Sequence, residues 1–132
     1  MARVQLALNV ADLETAIAFY SRLFDTAPAK VQPGYANFAI ADPPLKLVLF
    51  EGADAPGTLN HLGVEVATSE DVAATNRRLT DQGVETVTED QVDCCFALQD
   101  KAWIEAPDRE RWEIYTVLED TQPAADAAPC CI

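Results

Sequence analysis

Val4-Gln5-Leu6-Ala7-Leu8-Asn9-Val10, near the start of the chain, and Asn60-His61-Leu62-Gly63-Val64-Glu65-Val66, near its middle, decide the fold. Each reads as a short strand, apolar residues alternating with others. Set 56 residues apart, Gln5 falls on His61, Leu6 on Leu62 and Val10 on Val66. The same offset carries Asp12 onto Thr68, both good helix N-caps, and Thr68 has Asp71 three residues later in a capping-box pattern. Leu13, Ile17, Tyr20 and Phe24 then recur at helical spacing in the first copy. Val72, Asn76 and Leu79 do so in the second, where Gly83 is the expected C-terminal stop. Leu23 falls on Leu79. The chain is a repeat.

Strand-like stretches follow each helix. In the first copy they are residues 35–40 and 45–50; in the second, residues 85–88, 96–103 and 112–117. Pro43-Pro44 and Pro107-Asp108 mark turns between them. Each copy is therefore strand, helix and about three strands, with one apolar sheet face that needs covering. The expected architecture is α+β: two tandem βαβββ modules building one curved mixed sheet within a single domain over residues 1–119. Module one spans residues 1–52 and module two residues 58–119, joined by the Gly/Ala/Pro linker of residues 52–57. An Ala/Pro/Asp-rich tail is expected over residues 120–132.

Nine Lys and Arg against 22 Asp and Glu give a formal net charge of −13. That charge repels nucleic acid and anionic membranes, so neither is an expected partner. No apolar run approaches the roughly 20 residues of a membrane span. Met1-Ala2-Arg3-Val4 passes directly into a strand pattern, so no leader is expected and the cytoplasm is the default location. The four cysteines form two adjacent pairs, Cys94-Cys95 and Cys130-Cys131. Disulfide frameworks join distant segments, and adjacent thiols in a reducing compartment suit redox chemistry or a soft ion better.

His61 is the only histidine. Residue type alone leaves it either a structural side chain or a ligand. Its equivalence to Gln5 favours the ligand, because a repeat closing on itself brings equivalent positions together. Glu113 interrupts an apolar stretch and alternates with Tyr115 and Val117 on one strand face. A carboxylate on an inward face needs a partner, and a metal is one reason to keep it there; a solvent-facing Glu113 is the other reading.

The heads of both copies, with Pro107-Asp108 and Trp112-Glu113-Ile114-Tyr115, resemble the vicinal oxygen chelate superfamily of glyoxalases, bleomycin-resistance proteins and extradiol dioxygenases. The resemblance covers nearly the whole chain. It implies that the first strand of each module and the last strand of the second supply a metal's ligands, here Gln5, His61 and Glu113. Superfamily membership alone does not name a reaction.

Cys94-Cys95-Phe96-Ala97-Leu98-Gln99-Asp100-Lys101-Ala102-Trp103 is similar to the double-cysteine segment of the carbon–arsenic lyases of arsenic operons, and of related cadmium-induced proteins. The lyase resemblance implies an iron(II)-dependent dioxygenase. It would take dioxygen and a trivalent organoarsenical such as methylarsenite, and Cys94 and Cys95 would bind the arsenic. The chemistry agrees: methylarsenite carries one carbon, which leaves two positions for thiophilic arsenic to take sulfur. The cadmium-induced resemblance implies a sequestering protein without turnover, and a dimeric drug-binding protein without a metal is a third reading. The first two readings leave a homodimer open, and the third implies one. Two positions depart from the lyase pattern: Gln5 stands where many members have His, and Arg109 stands in a turn where Gly is usual. Cys130-Cys131 resembles a thiophile-scavenging tail. Neighbours on a regular strand point to opposite faces, so residues 89–96 are expected to be a mobile loop that lets Cys94 and Cys95 converge.

Overall fold

A computed structural model describes residues 2–121. The first module runs β1 (Arg3–Val10), α1 (Leu13–Leu23), β2 (Lys30–Gln32), β3 (Tyr35–Ile40) and β4 (Leu45–Glu51). The second runs β5 (Leu59–Glu65), α2 (Ser69–Asp81), β6 (Val87–Cys94), β7 (Ala97–Glu105) and β8 (Arg111–Asp120). Both are βαβββ, as the repeat requires. The chain forms two compact units, Arg3–Leu62 and the residues from Gly63 onward, so β5 straddles their boundary. Among the described residues, no helix is long and apolar enough to cross a membrane.

In the first unit β1 pairs with β4 in parallel, while β4–β3 and β3–β2 are antiparallel. The strand β2 is three residues long and has no counterpart among the sequence expectations. The two faces of β1 divide its labour. Leu6, Leu8 and Val10 pack with Ala16, Ile17, Tyr20 and Phe24 of and just beyond α1 around the buried Leu13, Ala36, Phe38, Ile40, Leu47 and Leu49. Gln5, Ala7 and Asn9 are buried on the opposite face. Period-two alternation thus turns one strand into a core wall and a polar wall at once.

The helices begin and end where their chemistry says. Asp12 caps α1 by accepting from the Thr15 amide at 2.9 Å. The Thr15 hydrogen bonds hold its carboxyl below the usual carboxylate range. The cap's contribution is therefore present above the ordinary value and is lost as pH falls through the lowered one. Thr68 caps α2, its hydroxyl oxygen accepting from the Asp71 amide at 3.1 Å. At the other end Gly83, at φ +83°, closes a Schellman turn through Gly83 N to Thr80 O and Val84 N to Leu79 O at 3.1 and 2.9 Å. α1 uses Asp25, at φ +49°, in the same role, with Thr26 N on Ser21 O.

The second unit pairs β6–β7 and β7–β8 antiparallel. The expectation of a loop over residues 89–96 is corrected here. Residues up to Cys94 belong to β6, interrupted by one register shift between Glu89 and Val92, and only Cys95-Phe96 forms a turn before β7. Asp100 Oδ1 accepts from the Gln91 amide at 2.7 Å and ties that irregularity down. β8 reaches Asp120, one residue past the expected boundary, and Thr121 N donates to Phe96 O at 2.9 Å. Cys130 and Cys131 lie outside the described residues.

Arg109 sits at φ +75° in the β7–β8 turn, its amide on Ala106 O at 2.9 Å. This left-handed position explains why Gly suits the turn. Arg109→Gly is expected to stabilise the protein by about 1 kcal/mol, by relieving the left-handed penalty of an L-residue. An unchanged midpoint in urea would show that the Arg109 side chain compensates for its backbone.

Candidate functional site

The first unit brings Gln5 and His61 together. Both are nearly inaccessible, at 4% and 2% exposure, and their side chains meet at 3.2 Å through Gln5 Nε2 and His61 Nε2. The other ring nitrogen, His61 Nδ1, lies 2.8 Å from Asn60 Oδ1. A carbonyl oxygen only accepts, so Nδ1 is the donor in that contact. Asn60 is itself held, its Nδ2 donating to Asn9 Oδ1 at 3.0 Å, and Asn9 Nδ2 donates to Thr58 Oγ1 at 2.9 Å. Phe50 lies beside the ring, centroids 6.1 Å apart. The imidazole is buried, and a relay of amides orients it. Sequence reasoning named Gln5 and His61 but missed Asn60 and Asn9, although the neighbouring amide Asn60 was a readable signal.

The second unit holds Glu113, Cys94 and Cys95. The β7–β8 register sets Lys101 opposite Tyr115 and Trp103 opposite Glu113, while β6–β7 sets Cys94 opposite Ala97. Paired residues share a face, so Glu113, Tyr115, Gln99, Lys101, Trp103 and Cys94 all project from the same side of these three strands. Glu113, expected on an inward face, is 2% exposed. Its Oε1 accepts from Lys101 Nζ at 3.0 Å, and Lys101 has no exposed surface. The same Nζ donates to Cys94 Sγ at 3.5 Å. Lys101 was not singled out from sequence.

The two cysteines converge by a route other than a loop. Cys94 ends β6 in register, and Cys95 and Phe96 take φ of +54° and +66°. A two-residue hairpin turn with both φ positive is the type I′ geometry, which non-glycine residues adopt only under strain. It turns Cys95 back, and the two sulfurs stand 3.9 Å apart. The two sulfurs are not bonded to each other, since 3.9 Å is nearly twice the roughly 2.05 Å of an S–S bond. Cys94 is buried and Cys95 half-buried. Gln99 Nε2 donates to Cys94 O at 2.6 Å, while Gln99 Oε1 is buried with no protein partner.

Among the described residues no three His, Cys, Asp or Glu side chains gather as a metal cluster. The expected ligand set has only two groups of those types, His61 and Glu113, and takes its third donor from an amide.

The model of the Glyoxalase/Bleomycin resistance protein/Dioxygenase superfamily matches residues 3–114. The chain belongs to this superfamily. The superfamily's two-module plan is the one built by β1–β4 and β5–β8 with their helices. The chain is 64% identical over 122 residues to cadmium-induced protein CadI of Mycobacterium tuberculosis, covering 92% of this chain and 80% of that one. It is 58% identical over 134 residues to the trivalent organoarsenical cleaving enzyme of Thermomonospora curvata, covering 99% and 89%. Among solved structures it is similar to the 2,3-dioxygenase LapB of Pseudomonas sp. KL28, with a TM-score of 0.67, 19% identity and 97% of this chain covered against 44% of that one. At that identity the likeness is one of superfamily fold.

Proposed function

We propose that the chain is a nonheme iron(II)-dependent dioxygenase that cleaves the carbon–arsenic bond of trivalent organoarsenicals such as methylarsenite. In this reading Gln5, His61 and Glu113 hold the metal, and Cys94 and Cys95 hold the arsenic. The observation that carries it is the pair of facing sulfurs at 3.9 Å, produced by a strained turn in a superfamily member. The organoarsenical-cleaving relative supports the same substrate class.

By donor type, the residues of this reading suit a divalent metal. His61 would offer Nε2, its Nδ1 being held by Asn60, as the second ring nitrogen of a metal-binding histidine usually is held by a neighbouring acceptor. Turning the Gln5 amide over exchanges its NH2 group for its carbonyl oxygen at the same place. With the Glu113 carboxylate, the donor set is one nitrogen and two oxygens, which suits iron(II) better than a soft ion. An iron(II) ion held there would supply activation of dioxygen. The protein's own work is to hold the substrate: two thiols displace two hydroxyls of CH3As(OH)2 as water and form two As–S bonds. The overall change, CH3As(OH)2 + O2 → As(OH)3 + HCHO, balances and delivers arsenite. Capture of this kind needs reduced thiols, which is why this reading expects a reducing compartment such as the cytoplasm.

The relative named as a cadmium-induced protein favours a second reading, in which the same cysteines sequester a soft ion without turnover. Dioxygen uptake separates the two. Iron(II)-loaded protein is expected to consume dioxygen only after methylarsenite is added; an oxygen trace that stays flat would favour sequestration.

A further inference from the structure

Metal binding and arsenic capture make no use of Gln99, which stands at an irregular point of β7. The β7–β8 register shifts between Leu98 and Gln99, and the β6–β7 register shifts between Glu89 and Val92, the residue opposite Gln99. Irregularities of this kind re-aim a side chain. Gln99 is 4% exposed and turned onto the Cys94 carbonyl, to which Nε2 donates at 2.6 Å. That bond settles which way the amide faces, because turning it over would set two oxygens against each other. Oε1 is therefore a fixed acceptor. It is buried, and among the described residues nothing donates to it. A buried amide oxygen left unpaired carries its desolvation cost, and a ligand that brings a donor removes that cost.

Gln99 shares its sheet face with Cys94, so the donor that suits it is one carried by the cysteines' ligand. In the proposed reading, two As–S bonds leave trivalent arsenic a single further substituent. For methylarsenite this is CH3, which donates nothing; for arsenite it is OH. The two groups are close in size and differ in the proton that the hydroxyl can give. We propose that Gln99 Oε1 accepts a hydrogen bond from the hydroxyl of arsenite held by Cys94 and Cys95, so that the site also binds inorganic arsenite and tells it from the methylated form. Binding runs As(OH)3 + 2 Cys–SH → (Cys–S)2As–OH + 2 H2O. Two As–O and two S–H bonds break, two As–S bonds and two waters form, and no oxidation state changes. Arsenite then competes with methylarsenite for the site from which it is released. This inference rests on Cys94 and Cys95 being the arsenic site, and not on the metal.

The test is the ratio of two affinities, for arsenite and for methylarsenite, read by tryptophan fluorescence in wild type and Gln99→Met. The full chain is used, reduced with a phosphine, without iron(II) and without air so that neither ligand is consumed. Methionine fills a similar space and keeps neither polar atom. In Gln99→Met, arsenite is expected to bind about tenfold more weakly, while methylarsenite stays within about twofold of wild type. Loss of the Nε2 bond to Cys94 would disturb both ligands alike, so an equal fall overturns the proposal, as does no fall in either. Should the variant not fold, the wild type carries the test through the 13Cδ resonance of Gln99. That resonance is expected to move downfield further with arsenite than with methylarsenite; equal movement, or none, overturns the proposal. Wild type that takes up methylarsenite but not arsenite overturns it as well. Uptake of neither removes the Cys94–Cys95 reading itself, and the role of Gln99 with it.

Discussion

His61→Ala is expected to abolish arsenite release from methylarsenite while leaving the arsenical bound. In the proposed reading the substrate is held by sulfur in the second unit, whereas His61 Nε2 serves only the metal. Asn60→Ala is the graded counterpart. It removes the partner at 2.8 Å that orients the His61 ring, and an outer-shell loss of that kind costs roughly 10–100-fold in metal affinity. Glu113→Ala is a poorer instrument, because it strands the Lys101 ammonium. Breaking a buried pair from one side costs about 3–5 kcal/mol, so lost turnover there would mix with lost folding. Iron affinity and turnover measured on His61→Ala and Asn60→Ala separate the effects. Full arsenite release by His61→Ala would end the metal assignment.

Cys94→Ser and Cys95→Ser are each expected to abolish both arsenical binding and turnover, since one remaining thiol leaves arsenic with a single sulfur bond. The two differ in stability. Cys95 lies half-buried in the turn, and its replacement should leave the thermal midpoint nearly unchanged. Cys94 is 2% exposed and accepts from Lys101, so replacing it disturbs a packed position. Phenylarsenite titration with a thermal scan on both variants checks this. Retention of wild-type affinity by either would show that arsenic is held elsewhere.

The repeat was legible because it is written in the chain itself. The offset that pairs Gln5 with His61 also carries the caps Asp12 and Thr68, and local chemistry sufficed for both helices. Gln5 and His61 meet as equivalence implied. What failed was the segment before the cysteines. Alternation forbids adjacent side chains from converging on a regular strand, and that rule points to a loop. Positive φ at Cys95 and Phe96 solves the problem in two residues instead, and nothing in Cys-Phe advertises a turn usually made by Asn-Gly. Lys101 was invisible for a different reason. Its partners are set by the registers that place Lys101 opposite Tyr115 and Cys94 opposite Ala97, and register is a long-range property. A lysine among Gln99, Asp100 and Trp103 reads equally well as a solvated one.

Turnover is the central claim, and arsenic speciation tests it most directly. Protein reconstituted anaerobically with iron(II) is given methylarsenite in excess over its Cys94–Cys95 sites, air is admitted, and the soluble arsenic species are separated and counted. The expected result is arsenite in amounts exceeding the protein present, matched by the loss of methylarsenite and absent when iron(II) or air is withheld. Methylarsenite recovered unchanged, with no more than one equivalent retained per chain, would contradict the account and leave a protein that binds arsenic without cleaving it.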